Sequence, residues 1–402
     1  MKQSHITFFA AAIAIAAAAV SSFAAEDETK FVEPALLDGN GSPAAAAAED
    51  AKTVEPKQAL ENGLKWLVSR QGEDGAFSNP QFPGLSGLAL WAVAASGDPQ
   101  YKDVVKKGSD YILSKVQPDG GIYSPVPGRK GGGLATYNTA VALTAIAATG
   151  RDDITKVVLD ARAFLASSQN IGDDVFKGGF GYDKSSERSY ADLMNTHFVI
   201  EAMRRTQHFE DQRPAGEKRA DIDWDAALAF AETLHNGADA GDSAGGFAYS
   251  PADAKAGLEN ADEAAAKAAG KVILRSYGSI TYAGLLSLLY CQIDKSDTRV
   301  QSTLDWAARH WSLEENPGMG DQGLYFFYNV LSRSMSVLGA ESIERKDGAP
   351  IKWAAELAAK VTSLQREDGS WTNKNGRFWE NDPVLATAYS LLALEFATGV
   401  AK

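Results

Sequence analysis

The stretch Gln365-Arg366-Glu367-Asp368-Gly369-Ser370-Trp371, with the apolar run from Pro383 to Leu394 that follows it, decides the fold. It ends one amphipathic segment and leads into a second that is apolar almost all round. The cassette recurs upstream. Gln71 to Gly75 and Phe77, and Gln117 to Gly121 and Tyr123, keep the spacing Gln-x-x-x-Gly-x-aromatic. Stretched copies run from Gln169 to Gly178, Gly179, Phe180 and Tyr182, and from His235 to Gly245, Gly246, Phe247 and Tyr249. A fifth, Trp311 to Gly323, keeps only the glycine-rich turn. Several copies in phase indicate a repeat architecture. Gly supplies the positive-φ turn that ends a helix, and the aromatic two residues later covers the end of the helix pair.

Apolar residues recurring every 3.6 positions predict helices paired as 57–70 with 84–96, 101–116 with 134–149, 152–168 with 189–206, 221–235 with 275–291, 297–312 with 324–338, and 350–365 with 383–398. The first member of each pair is charged on one face. The second is apolar on every side, as in Thr139 to Ala147 and Tyr282 to Tyr290, and must therefore be buried on every side. An inner ring of second helices inside an outer ring of first helices satisfies both. The expected fold is all-α, a single α6/α6 toroid of six hairpins over 55–399.

Residues 1–25 carry one lysine, an Ala/Ile/Phe-rich run from Phe8 and a small-residue end at Ser22-Phe23-Ala24, the pattern of a secretory signal peptide. Residues 26–54 mix acidic residues, Gly, Pro and alanines and are expected to form a flexible leader. The expected destination is the periplasm or the exterior. With Cys291 the only cysteine, such a chain folds without an internal disulfide. The formal net charge of −13 argues against nucleic-acid partners and anionic membrane surfaces.

The repeat resembles that of the prenyltransferase and squalene/oxidosqualene cyclase superfamily. The resemblance covers residues 55–399 and implies a single barrel and an isoprenoid-type ligand. The residues that carry the superfamily's chemistry do not follow. Where a triterpene cyclase has Asp-x-Asp-Asp-Thr, with the central Asp as proton donor, this chain has Asp192-Leu193-Met194-Asn195-Thr196, or Ala135-Thr136-Tyr137-Asn138-Thr139. Neither a thioether nor a phenol is a strong enough acid to protonate an alkene. Where a protein prenyltransferase binds zinc through Asp, Cys and His, this chain aligns Arg275, Tyr277 and Ala386. No metal and no cofactor is expected. The thioester motif of a third class of toroid is also missing at Cys291-Gln292.

The remaining polar residues gather where second helices begin, at the mouth of the barrel. Asp192 and His197 are the candidate acid and base; the competing reading makes Asp192 a helix cap, and five residues is a poor spacing for facing side chains. Tyr137, Asn138, Tyr190, Asn195, Arg275, Tyr277, Tyr325, Tyr328, Arg377, Trp379, Glu380 and Asp382 are candidates for the cavity or its rim. Arg377, Glu380 and Asp382 hold either an anionic ligand group or one another. The aromatics Phe180, Tyr182, Phe247, Tyr249 and Tyr325 to Tyr328 either line a cavity or seal helix ends, and 251–270 reads as an insertion beside the mouth. The expected function is binding of a hydrophobic, isoprenoid-type small molecule in the central cavity; any turnover would follow a non-standard cyclase- or transferase-like mechanism. The alternatives are a carbohydrate-active toroid resembling polysaccharide lyases and acting on a glycan, and an envelope protein-interaction scaffold.

Overall fold

The computed structural model describes residues 54–126, 134–183, 189–259 and 272–401. The signal-peptide and leader readings, and 260–270 of the insertion, lie outside the described residues. Twelve α-helices are present among them: α1 (Pro56–Val68), α2 (Pro83–Ala95), α3 (Lys102–Leu113), α4 (Ala135–Ala148), α5 (Thr155–Ala166), α6 (Leu193–Arg205), α7 (Trp224–Thr233), α8 (Gly278–Tyr290), α9 (Thr298–Arg309), α10 (Leu324–Leu338), α11 (Trp353–Ser363) and α12 (Pro383–Ala397). None of them is long and apolar enough to cross a membrane.

The even-numbered helices touch in an unbroken cycle, α2 to α4 to α6 to α8 to α10 to α12 and back to α2. The odd-numbered helices pack outside them, so the fold is an α/α toroid. The periodicity accounts for this division: in α8 every residue except Leu289 is buried, whereas α3 buries Gly108, Ser109, Tyr111 and Ile112 and leaves its charges outside.

The repeated cassette joins three elements. In its turn a glycine adopts positive φ: Gly75 (92°), Gly120 (87°), Gly178 (90°), Gly245 (87°) and Gly369 (89°). A Cβ at these positions would lie 2.3, 2.7, 1.9, 2.2 and 2.8 Å from the backbone carbonyl oxygens of Lys107, Asp160, Ala226, Ser302 and Asn62 respectively, each on the next outer helix. Only glycine tolerates both the conformation and the approach. The residue two positions on donates its N–H to a hydroxyl one turn inside the following inner helix: Phe77 to Ser86, Ile122 to Thr139, Phe180 to Thr196, Phe247 to Thr281 and Trp371 to Thr387, at 2.9–3.1 Å. Gln365 closes the circle, its amide donating to Gly369 O (2.9 Å) and across to Ala59 O of α1 (2.8 Å).

The second copy corrects the sequence register. Gln117 N bonds Gly121 O as Gly72 N bonds Ala76 O, so Gln117 matches Gly72 and not Gln71. The positive-φ glycine is Gly120, and Ile122, not Tyr123, fills the aromatic's place.

Candidate functional site

The N-termini of the inner helices share one face of the ring and bond to one another. Gly84 N of α2 donates to Asn138 Oδ1 of α4 (2.9 Å), Leu193 N of α6 to Tyr249 O ahead of α8 (2.8 Å), and Ser78 Oγ ahead of α2 to Asp382 Oδ2 at the start of α12 (2.9 Å). Inside this mouth, aromatic rings from four inner helices meet in series. Tyr137 (α4) lies 5.4 Å from Phe198 (α6), Phe198 6.0 Å from Phe326 (α10), and Phe326 5.8 Å from Tyr389 (α12), centroid to centroid. Phe198 and Tyr389 are buried, while Tyr137, Phe326 and Met194 stay partly accessible although they sit on the inner ring.

Beside this wall lies a polar corner. Asp192 caps α6: Oδ1 accepts Asn195 N (2.7 Å) and Oδ2 accepts Asn195 Nδ2 (2.8 Å). Burial pushes its carboxyl up to about 6, against the hydrogen bonds from Asn195 and the Tyr249 side chain and the pull of Lys255. Half-buried Tyr182 bridges wall and corner, its ring 6.5 Å from Tyr137 and its hydroxyl 3.5 Å from that of Tyr249. Lys255, at the described edge of the insertion, lies 4.5 Å from the Tyr249 ring and pairs with Asp253 (3.1 Å).

Asp192 and His197 are not brought together as an acid and a base. The Asp192 carboxylate turns to Asn195, while His197, fully buried, points down the barrel with Nε2 3.4 Å from Arg333 Nη2. Burial first, then Arg333, push its imidazole down to about 3, so at neutral pH it is uncharged.

Arg377, Glu380 and Asp382 also separate. Glu380 is fully buried and accepts Phe326 N (2.8 Å) and Asn373 Nδ2 (2.8 Å), anchoring the last loop on the start of α10; burial nevertheless lifts it to about 7. Asp382 caps α12 through Val384 N (2.8 Å), and Arg377 is exposed with its guanidinium 5.3 Å from the Phe378 ring.

Asn138 is structural at the start of α2, Tyr325 bonds Thr372 O (3.3 Å) and Tyr328 bonds Leu313 O (2.5 Å). Arg275 is exposed ahead of α8, bonding Leu258 O (3.0 Å). Tyr190 is half-buried and Tyr277 buried around Asp192; burial, and then the Asp192 charge, raises the pKa of both. Trp379 packs on Phe82 at the rim (4.7 Å). Phe180 and Phe247 seal helix ends.

Sequence reasoning missed the buried charge network further down the ring. Arg333 (α10) pairs with Glu201 (α6), which also accepts Arg205 Nε (3.0 Å) and Tyr290 Oη (3.2 Å). The Arg333 guanidinium lies 5.4 Å from the Trp91 ring and 5.6 Å from Phe198, so aromatic faces flank the cation. Glu395 of α12 is fully buried, and neither carboxyl oxygen has a partner among the described residues. The available signal was charge on helices otherwise apolar all round. Among the described residues no group of three or more His, Cys, Asp or Glu is placed to hold a metal ion.

No family model matches the chain, and no curated protein matches its sequence. Solved structures share its fold. The type II terpene cyclase MstE from Scytonema superposes with a TM-score of 0.53 at 11% identity over 86% of this chain and 98% of the cyclase. It is also known with geranylgeranyl dihydroxybenzoate bound as substrate. A GH76 α-mannanase from Bacteroides thetaiotaomicron gives 0.54 at 12% identity over 86% and 97%, and an α-amylase from Clostridium perfringens 0.52 at 10% over 84% and 97%. The chain is an α/α toroid of the kind that terpenoid cyclases share with these glycosidases. At such identities the likeness speaks for the fold alone, and function rests on the site.

Proposed function

We propose that this toroid, in an exported protein, binds the apolar part of an isoprenoid-type ligand at its mouth. The observation that carries this reading is the aromatic series Tyr137, Phe198, Phe326 and Tyr389, drawn from four inner helices and left partly open at Tyr137 and Phe326. Aromatic and thioether side chains accept an apolar chain by area and dispersion without demanding a particular polar pattern. The proton donor of the triterpene cyclases is replaced by Met194, so the reading is binding rather than alkene protonation. MstE, which binds an isoprenoid substrate on the same fold, makes the ligand class reasonable.

The glycan alternative draws on exposed Phe378 and Trp379 at the rim and on the glycosidase neighbours. Its weakness is that the polar groups beside those rings hold the loop together: Asn373 bonds Asp321 O (2.7 Å), Asn375 bonds Asp321 Oδ1 (2.8 Å), and Asp382 is a cap.

The test is native mass spectrometry of protein purified from its own cell envelope, with solvent extraction, followed by titration of the stripped protein with farnesene. A stoichiometric isoprenoid, and farnesene binding that Phe326→Ala weakens about tenfold, are expected. Co-purified oligosaccharide, or farnesene binding indifferent to Phe326→Ala, would overturn the reading.

A further inference from the structure

We infer that the mouth selects a neutral isoprenoid bearing a hydroxyl, an alcohol or phenol, over the carboxylate or diphosphate of the same chain, by seating that hydroxyl between Tyr182 and Asn195 beside Asp192. This deepens the ligand reading above and rests on it.

Three observations carry the inference. The Tyr249 hydroxyl is engaged by Asp192, and the Tyr182 hydroxyl stands 3.5 Å from it, well beyond the ~2.7–2.8 Å preferred between hydroxyl oxygens, so Tyr182 retains capacity for a further partner. Asn195 lies beside the Tyr182 hydroxyl, and its amide is oriented by donation to Asp192 Oδ2 (2.8 Å). That orientation leaves its buried Oδ1 an acceptor without a partner among the described residues. An acceptor at Asn195 and an amphoteric hydroxyl at Tyr182 match a ligand hydroxyl, which donates once and accepts twice. Finally, half-buried Tyr182 touches the aromatic wall at Tyr137, so the polar corner and the apolar wall are continuous.

The charge nearby sets the selectivity. Asp192 is the buried ionisable group at this corner, and Tyr182, Tyr190, Tyr249 and Tyr277 around it are all held in the neutral phenol form, first by burial and then by its charge. Lys255 is balanced by Asp253 at 3.1 Å, and Arg377 is exposed, where water and salt screen it. An oxyanion brought to Asn195 would face the Asp192 carboxylate and an acceptor oxygen. A hydroxyl would face no such penalty.

The experiment compares farnesene, farnesol, farnesoic acid and farnesyl diphosphate at pH 8 by calorimetry, with wild type, Asp192→Asn, Tyr182→Phe and Phe326→Ala. Farnesol should bind about tenfold or more tighter than the two anions. Asp192→Asn, which keeps a capping side chain on α6, should narrow that gap. Tyr182→Phe should weaken farnesol and leave farnesene unchanged, whereas Phe326→Ala should weaken all four alike. Equal affinity for farnesol and farnesoate, or a ratio unmoved by both Asp192→Asn and Tyr182→Phe, overturns the inference while leaving the ligand reading in place. Failure of all four compounds to bind sinks both.

Discussion

Arg333 reaches across the ring from α10 to the carboxylate of Glu201 on α6, two fully buried charges in contact between inner helices. Removing Glu201 strands Arg333 where water cannot reach it, and removing Arg333 leaves the Glu201 carboxylate buried with Arg205 and Tyr290 against it. Glu201→Ala and Arg333→Ala should each cost about 3–5 kcal/mol of unfolding free energy in urea titrations. The double variant Glu201→Leu/Arg333→Met should recover most of that loss, since the pair's desolvation cost disappears with it. A double variant no more stable than the singles would show that the network does more than balance its own charges.

Closure of the ring gives a second prediction. Gly369 carries φ 89° and would place a Cβ 2.8 Å from Asn62 O, so Gly369→Val is disfavoured by conformation and by contact. Trp371, fully buried, packs over Gly63 and donates Nε1 to Val361 O (2.7 Å). Trp371→Ala should cost about 3–5 kcal/mol. Scanning calorimetry should find both midpoints clearly lowered; unchanged midpoints would mean that α1 and the last turn do not seal the ring.

Glu395 makes the pH dependence predictable in sign. Burial alone raises its carboxyl well above the usual range, so the folded state holds a proton that the unfolded state releases. The penalty for ionising it is absent below the unfolded value near pH 4–5, where only the cost of burying the neutral carboxyl remains, and stability falls as pH rises from there toward the folded value. Glu395→Met should therefore raise the thermal midpoint, by more at pH 8 than at pH 4.5. A gain equal at both pH values, or a loss at pH 8, would mean that the carboxyl has a compensating partner.

The loop that carries Glu380 should respond in the same direction. Glu380 sits near 7 when folded, so between about pH 5 and 7 ionisation weakens the fold despite the N–H donors of α10. Glu380→Gln should flatten the midpoint over that interval. A wild-type profile already flat there would refute the assignment.

The helices were legible because periodicity is a local property: α10 begins at Leu324 and ends at Leu338, where the apolar pattern predicts. The repeat was legible for the same reason, with one slip at Gln117, where Pro118-Asp119-Gly120-Gly121 imitates the spacing one residue out of register. Asp192 reads as a cap from type and position. What could not be read was pairing across the ring. Arg333 and Glu201 lie 132 positions apart, and nothing local to either names the other. Tyr182 and Tyr249 meet because the turns before α6 and α8 share the mouth, a relation that exists only once the ring has closed.

The contact of Gly369 and Gln365 with α1 makes the toroid a circle with no first repeat and no last. Helix α12 lies against α1, and its C-terminus and the N-terminus of α1 are on the face away from the mouth. A variant in which Pro56 and Ala397 are joined there by a short linker and the ring is reopened at Gly150, a positive-φ turn residue with open space around it, should fold to the same ring with the mouth intact. Which hairpin comes first is thus immaterial to the ring, whose direction is the axis that runs from the aromatic mouth to the buried charges beneath it.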